Sequence, residues 1–261
     1  ACTEQEGNGE RLRFRDVPGG VALYRYKGGS RLSEFTVPDE HNGKKVVEIQ
    51  DFAIANNEYL RTLVIGKHIK TIGEWGIVNC TNLQTILVDE DNAHFATADG
   101  LLYTKDRTEV IACANGRTPI EKDKDGNITH GITVSLPPTV KVVRNNAFYL
   151  CGNLWTITFN EGLESIGNKA FMKCENLQNV RFPATLKTIG IDAFSYCDAF
   201  TQVTIPPGVE AIGDYAFFSL SSSIKTIRIE RENADGLTLG KDWVPNLRNT
   251  VGQKAEVVFV G

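Results

Sequence analysis

The chain has 261 residues, of which 41% are hydrophobic, and its formal net charge is −4. This length fits one large domain or two small ones, and the composition is typical of a globular protein. Lys and Arg are spread along the sequence without a cluster, so we predict no nucleic-acid partner. No apolar run reaches the roughly 18 residues that a membrane-spanning helix needs, which excludes such a helix from this sequence.

The first ten residues are polar and include two glycines, which is typical of a flexible leader. Cys2 follows a small residue and precedes a polar tether. This arrangement resembles the end of a bacterial lipoprotein signal, which is cleaved before a cysteine that then receives lipid. The resemblance implies lipid attachment at Cys2 in an outer-membrane lipoprotein, and the alternative is an incidental cysteine in a disordered tail.

Residues 11–26 alternate apolar and polar side chains around Pro18-Gly19-Gly20, which predicts a hairpin of two strands. We interpret this hairpin as a cap on the repeats that follow. A repeat protein needs such a cap because its first coil would otherwise expose the core and an unpaired strand edge.

A short phrase then recurs at a fixed interval of 23 residues. The alanines of its clearest copies are Ala147, Ala170, Ala193 and Ala216, each followed by phenylalanine. Weaker copies occupy 46–65 and 69–88 in the same register. Such a period is the signature of a solenoid, in which each coil buries its apolar face against the next coil.

Two patterns alternate within each unit. Val143, Ala147 and Cys151 are four residues apart, which predicts a short helical turn. Three residues after the cysteine position comes the phrase L-x-x-I-x-I, which predicts a strand and matches that of a leucine-rich repeat. The sequence therefore predicts an α/β repeat solenoid with strands on one side and helical turns on the other.

The complete phrase, I-G-x-x-A-F-x-x-C-x-x-L-x-x-I-x-I-P with 23 residues per unit, resembles the BspA-like class of bacterial leucine-rich repeats. The resemblance extends over about residues 21–229. It implies a right-handed solenoid with parallel strands on the concave side, short helical turns on the convex side, and hairpin caps. It also implies an exported or surface-attached bacterial protein with a role in adhesion and contact with host proteins.

The organisation we expect is a flexible leader at 1–10 followed by a single leucine-rich repeat domain at 11–261. The expected parts of that domain are an N-terminal cap at 11–45, repeats at 46–91, irregular rungs with a hairpin insert at 92–139, repeats at 140–230 and a C-terminal cap at 231–261.

Four of the six cysteines share one repeat position, and no C-x-x-C pair is present to hold zinc. These cysteines are Cys80, Cys151, Cys174 and Cys197. Equivalent side chains in stacked coils point in parallel rather than towards each other, so we predict packed thiols rather than disulfides.

Metal-binding and catalytic patterns are otherwise weak. Asp123, Asp125 and Asn127 alternate as calcium ligands do, but the rest of the EF-hand pattern is missing, and a solvated turn is the better interpretation. The sequence contains no G-x-S-x-G phrase, P-loop or dinucleotide fingerprint. We therefore predict a non-catalytic protein with neither a cofactor nor a metal.

The strand phrase gives the candidate binding surface. Strand side chains alternate, so the residues between the apolar positions face outward and should form a continuous stripe on the concave side. The partner-binding candidates are Trp155, Thr156, Thr158, Asn179, Arg181, Gln202, Thr204, Thr226 and Arg228. Threonine also suits any exposed strand, and that alternative carries equal weight.

Trp155 stands out because polar residues occupy its repeat position in the other units. A large aromatic side chain there is suited to anchor a partner or to cover the neighbouring insert. The function we predict is protein binding at the cell envelope or outside the cell, with a host extracellular protein as partner. Glycan binding through Trp155 is the alternative, and membrane contact is expected only through lipid on Cys2.

Overall fold

The structure is a computed structural model that describes residues 2–7, 10–29, 32–218, 220, 224–244 and 254–261. They form two compact units, Ala1–Asp106 with Ile111–Arg117 and Arg107–Val110 with Thr118–Gly261. Across those described ranges, no helix is long and apolar enough to cross a membrane. The single repeat domain at 11–261 stays a prediction.

The first unit begins with an antiparallel sheet of β1 (Cys2–Gly7), β2 (Glu10–Val17) and β3 (Gly20–Gly28). The predicted hairpin is confirmed, since β2 and β3 pair on either side of Pro18-Gly19.

Residues 1–10 were expected to form a flexible leader, but β1 pairs with β2 along its whole length. Side chains of β1 help to hold it there. Thr3 Oγ1 lies 2.8 Å from Nε2 of the buried His41, and the His41 ring stacks on Phe14 at a centroid distance of 4.0 Å.

Three parallel ladders continue the first unit. Between its repeats residues 23 apart in sequence face each other, as Thr62 and Thr85 do, whereas the first strand of two ladders pairs at a longer interval, as Val21 does with Val46. The first ladder contains β3, β6 (Lys44–Ile49) and β9 (Thr71–Ile72), with β5 (Glu40–His41) antiparallel to β6. The second contains β4 (Glu34–Thr36), β8 (Thr62–Ile65) and β11 (Thr85–Val88), and the third contains β7 (Ile54–Ala55) and β10 (Ile77–Val78).

The hairpin insert is present as the antiparallel pair β12 (Phe95–Ala98) and β13 (Leu101–Thr104). Strand β14 (Glu109–Cys113) and the 3-10 helix η1 (Asn115–Arg117) follow it.

The second unit has the same layout. Its short parallel strands are β18 (Val142–Val143), β20 (Ser165–Ile166), β21 (Thr188–Ile189), β23 (Ala211–Ile212) and β25 (Thr238–Leu239), and β18 also pairs with Glu109–Val110. Its longer strands are β17 (Ile132–Ser135), β19 (Leu154–Thr158), β22 (Val203–Ile205), β24 (Thr226–Ile229) and β26 (Glu256–Phe259). A hairpin of β15 (Glu121–Lys122) and β16 (Ile128–His130) precedes them.

The predicted helical turns are wrong. After β18 the backbone forms consecutive turns in which Asn146 and Leu150 have φ values of 63° and 60°, a left-handed conformation that stops a helix. The amides of Phe148 and Leu150 donate to the carbonyls of Ala170 and Met172 in the next coil, at 2.8 and 3.0 Å. An α-helix would direct these amides to its own chain, so the turns instead form a ladder between coils.

A polar residue near the start of several runs of turns extends this ladder. Asn145 Oδ1 accepts the Asn168 amide of the next coil at 2.6 Å, and Asn168 Oδ1 accepts the Ile191 amide at 2.8 Å. The glycine before Asn168 is required by close approach, because a Cβ on Gly167 would lie 2.5 Å from the Asn145 amide nitrogen. These residues look like helix caps in sequence, but they bond across coils.

The core of the second unit is a column of buried phenylalanines. Phe148, Phe171, Phe194 and Phe217 stack with neighbouring ring centroids 4.8, 5.0 and 5.5 Å apart. Stacked rings stabilise one another beyond the area that they bury. The A-F pair of the repeat therefore supplies both the packing and the hydrogen-bonding contacts between coils.

No disulfide joins any of the six cysteines, all of which lie in the described part of the chain. The Cys174 and Cys197 thiols donate to the carbonyls of Phe148 and Phe171 at 3.1 Å. Burial raises the pKa of Cys80 to about 11 and also raises the pKa of Cys197. Both thiols therefore stay protonated near neutral pH.

Candidate functional site

The outward side chains of β17, β19, β22, β24 and β26 make up a surface of the second unit that we call the strand face. The register pairs Thr156 with Thr133 and Thr158 with Ser135, and the Thr156 hydroxyl donates to Thr133 Oγ1 at 3.2 Å. Thr204 faces Arg228 in the neighbouring strand. The structure thus places Thr156 and Thr158 in one pair of strands, and Thr204 and Arg228 in a second sheet.

The strand face contains further residues that the sequence interpretation missed. Thr133 and Ser135 add a row before Thr156, while Glu256 and Val258 add one beside Thr226 and Arg228. The alternation in I-T-V-S could have identified Thr133 and Ser135, since it resembles the alternation of the repeats, whereas E-V-V-F does not alternate and gave no such sign of Glu256 and Val258.

The predicted stripe is not continuous, because the structure has no strand at 177–182. The Gln178 amide donates to the Trp155 carbonyl at 2.9 Å. Beyond it, within the described ranges, the backbone of Val180, Arg181 and Phe182 makes no hydrogen bond to a neighbouring coil. The expected placement of Asn179 and Arg181 on a regular strand is therefore wrong.

Side-chain bonds of Asn179 replace the missing strand pairing. Asn179 Oδ1 accepts the amides of Thr201 and Gln202 at 2.8 and 3.2 Å, and Asn179 Nδ2 donates to Thr201 Oγ1 at 2.7 Å. Pro206 and Pro207 follow β22 and have no N–H to donate to the preceding coil. The ladder consequently opens between this coil and β22.

A cleft of about 380 Å³ lies at this opening. Its apolar lining is Val180, Phe182, Ala184, Pro206 and Pro207, and its polar lining is Arg181, Gln202, Thr204 and Glu230. Val180 is half-buried, whereas its counterparts Ile157 and Val203 are buried. The opening therefore exposes part of the side-chain row that closes the core elsewhere.

Arg181 is an exposed cation at the cleft, and it forms no ion pair with any residue that the structure describes. Its guanidinium can donate two parallel hydrogen bonds to a carboxylate. A cleft of this volume, with an apolar lining and an unengaged cation, is suited to accept side chains of another molecule.

Trp155 lies at an irregularity of the strand pairing. Leu154 pairs with Ile132 and Thr156 pairs with Thr133, so Trp155 has no opposite residue and forms a β-bulge. A Cβ on Gly131 would lie 2.8 Å from Trp155 Cβ, so the two residues are in close contact. Trp155 is half-buried and lies beside Gly131, the residue that follows the β15–β16 hairpin.

The remaining candidates lie elsewhere. Cys2 is exposed at the start of β1, opposite Arg15. Asp123 closes the turn of the β15–β16 hairpin, because its Oδ1 accepts the amides of Asp125 and Asn127 at 2.9 Å, and its bonds with Asn127 lower its pKa. Among the residues described, no group of three His, Cys, Asp or Glu side chains is placed to hold a metal ion.

A sequence profile described as BspA type leucine-rich repeat region matches residues 22–98 and 127–235, with six copies of the repeat. The chain belongs to the BspA-type leucine-rich repeat family. Between the two matched segments, the unmatched 99–126 contains β13, β14, η1 and β15. No curated protein sequence matches the chain.

Solved structures similar to this BspA-type chain include the pneumococcal vaccine antigen PcpA, with 17% identity, 92% of this chain and 85% of that chain covered, and a TM-score of 0.55. A leucine-rich repeat protein from Eubacterium ventriosum has 16% identity, 92% and 93% coverage and a TM-score of 0.49. A leucine-rich cell surface protein from Faecalibacterium prausnitzii has 15% identity, 92% and 94% coverage and a TM-score of 0.44. The likeness to PcpA supports the solenoid fold and nothing beyond it.

Proposed function

We propose that this protein is a non-catalytic protein-binding module of a bacterium, presented at the cell envelope or outside the cell, where it mediates adhesion or contact with a host protein. The partner contacts the strand face of the second unit. The observation that carries this proposal is the cleft at 180–207, where the ladder opens beside an exposed arginine.

The cleft offers two kinds of contact to a polypeptide. The backbone N–H and C=O groups of Val180 and Phe182 have no partner in a neighbouring described coil, so an extended segment can bond to them as an added strand does. The apolar lining has room for a hydrophobic side chain, and the Arg181 guanidinium can donate hydrogen bonds to a carboxylate next to it. The partner we propose is an extended segment in which an apolar residue neighbours an acidic residue.

The other candidates surround this cleft as a polar rim. Gln202 and Thr204 line it directly, while Thr226 and Arg228 continue the rim on β24. Thr156 and Thr158 occupy β19, on the other side of the open coil. In a protein interface such rim contacts set orientation and exclude water, while a few central residues contribute most of the binding free energy.

Two substitutions on the strand face test the proposal, with one matched control on the turn side. Arg181→Glu reverses the charge at the cleft, Trp155→Ala removes the aromatic side chain, and Lys173→Glu makes the same charge change among the turns. Binding of each variant is measured against a panel of purified host extracellular proteins and a glycan array.

We expect wild type to bind a protein, Arg181→Glu to weaken that binding by about tenfold or more, and Lys173→Glu to leave it unchanged. Protein binding that survives Arg181→Glu would refute the cleft as the site. Binding to glycans alone, abolished by Trp155→Ala, would favour the alternative of a glycan-binding surface protein.

The envelope location has a separate test. Mass spectrometry of the protein in membrane fractions of its native host should show a diacylglyceryl group on Cys2, and Cys2→Ala should move the protein out of those fractions. An unmodified Cys2 in that host would end the lipid-anchor proposal and leave the strand face unaffected.

A further inference from the structure

The outer face of the N-terminal sheet carries four cations that are separated in the sequence and come together in the structure. Arg11 faces Lys27 and Arg13 faces Arg25 across the β2–β3 pair, and these four residues line a shallow depression of about 180 Å³. We call them the cationic patch. The expectation of no Lys/Arg cluster is therefore wrong, because hairpin pairing brings two separated stretches together.

The cationic patch is only partly neutralised. Arg11 pairs with Glu4 and Glu6 of β1 at 3.2 and 2.7 Å, and Arg13 pairs with Glu4 at 3.4 Å. Arg25 and Lys27 form no ion pair with the residues described. The cations of β2 and β3 therefore lie side by side, and carboxylates of β1 lie only along the β2 edge.

This arrangement opposes folding, because like charges directly opposite each other on paired strands repel. The neighbouring basic residues are engaged differently: Arg15 lies over the Tyr24 ring at 4.5 Å, and Lys44 pairs with Asp16 at 2.5 Å. An anion bound over the two like-charge pairs would remove their repulsion.

We propose that the cationic patch binds an acidic polysaccharide through its sulfate or carboxylate groups. Cations two residues apart on one strand are separated by roughly 7 Å, and paired residues on adjacent strands by roughly 5.5 Å. Charged groups repeated along a sugar chain can occupy such a grid, and each arginine can hold one of them with two parallel bonds. This site is independent of the strand face.

The charge of the rest of the protein favours a narrow ligand, such as a single sugar chain, over a ligand with a broad charged surface. The formal net charge is −4, so outside the cationic patch the molecule repels polyanions. Screening limits each charge to about 8–10 Å at physiological salt, and a single sugar chain meets only the patch. An anionic bilayer or a nucleic-acid duplex presents its charge over a wider area and also meets the acidic remainder.

The test uses the complete chain and a fluorescent heparin octasaccharide. The decisive variant is Arg25→Glu/Lys27→Glu, because it places a carboxylate opposite Arg13 and opposite Arg11 and so replaces two repulsive pairs with attractive ones. We expect its affinity for heparin to fall by at least about tenfold, while its thermal midpoint is no lower than that of wild type. Wild-type affinity should also fall as salt is added.

The matched control is Lys122→Glu/Lys124→Glu, which makes the same charge change on the exposed β15–β16 hairpin and should leave heparin binding unchanged. An equal loss in this control would overturn the proposal, as would the absence of heparin binding by wild type. Equal or tighter binding to phosphatidylglycerol vesicles or duplex DNA would also overturn it. Arg181→Glu should keep full heparin binding. A failure of the cationic-patch proposal can therefore be distinguished from a failure of the strand-face proposal.

Discussion

The turn side and the strand side of the second unit are built from the same coils, yet among the described residues the turn side keeps its contacts between coils where the strand side loses them. On the turn side, the amides of Phe148, Phe171 and Phe194 each donate to the alanine of the next coil, at 2.8, 2.8 and 2.7 Å. On the strand side, pairing joins β17 to β19 and β22 to β24 and β26, but it is absent at 177–182.

The difference shows where the sequence can vary without loss of the fold. Repeated residues of the turn side hold neighbouring coils together through the phenylalanine column and the amide ladder, so the opposite side does not have to pair in every coil. The coil at 177–182 lacks this strand pairing, and a cleft lies there. The repeated phrase is scaffold, and we place binding on the varied side.

The largest expected effect is on the phenylalanine column. Phe171→Ala removes a fully buried ring that stacks between Phe148 and Phe194, and we expect a loss of about 3–5 kcal/mol in the free energy of unfolding. Urea unfolding followed by circular dichroism measures it. The control Ile191→Ala, at a position that is 42% exposed, should cost less than about 1 kcal/mol. Equal losses in the two variants would contradict a turn-side scaffold.

The buried thiols of the turn side make the free energy of unfolding depend on pH. Burial raises the pKa of Cys197, so the folded state keeps its proton at a pH where the unfolded state has lost it. This contribution is complete below the unfolded pKa of about 8.5 and is lost above it, at about 1.4 kcal/mol per pH unit for one thiol. Cys197→Ser should reduce the fall in stability between pH 9 and 10 by about that amount, as measured by urea unfolding at each pH. An identical slope in wild type and variant would contradict burial of this thiol.

A smaller effect distinguishes stacked turns from helices. Lys173 has a φ of 62°, so Lys173→Gly should be about 1 kcal/mol more stable than Lys173→Ala. In a helix the order would be reversed by a similar amount, because glycine is the poorer helix former. Comparing two variants at one site cancels the loss of the lysine side chain. Thermal unfolding of the pair is sufficient, and a more stable alanine variant would restore the helical interpretation.

The repeat period was enough to predict a solenoid of stacked coils, its register and most strands, because a strict interval places equivalent residues in contact, but the α/β class was wrong in its helical part. It could not separate a helical turn from stacked turns, since both bury residues four apart, and nothing in Leu150 or Lys173 signals a positive φ. The opening at 177–182 was hidden for a related reason. Val180 and Phe182 alternate as in every other unit, and only Pro206-Pro207 on the next coil gave a sign of it.

The candidate site was predicted in part. Alternation predicts that Thr156 and Thr158 share one face of their strand, and the register places them opposite Thr133 and Ser135, while Thr204 lies opposite Arg228 in a separate sheet. The cleft and the cationic patch depend instead on which backbone groups pair, and alternation within one segment does not contain that information.

Backbone hydrogen exchange, measured on the chain alone and with its bound partner, tests the contrast between the two sides most directly. In the free chain we expect the amides of Val180, Arg181 and Phe182 to exchange fast and those of Phe171 and Phe194 to exchange slowly, because only the latter two have a backbone acceptor. Partner binding should slow exchange at 180–182 and leave the turn side unchanged. Slow exchange of all five amides in the free chain, or slowing confined to the turn side on binding, would contradict this account.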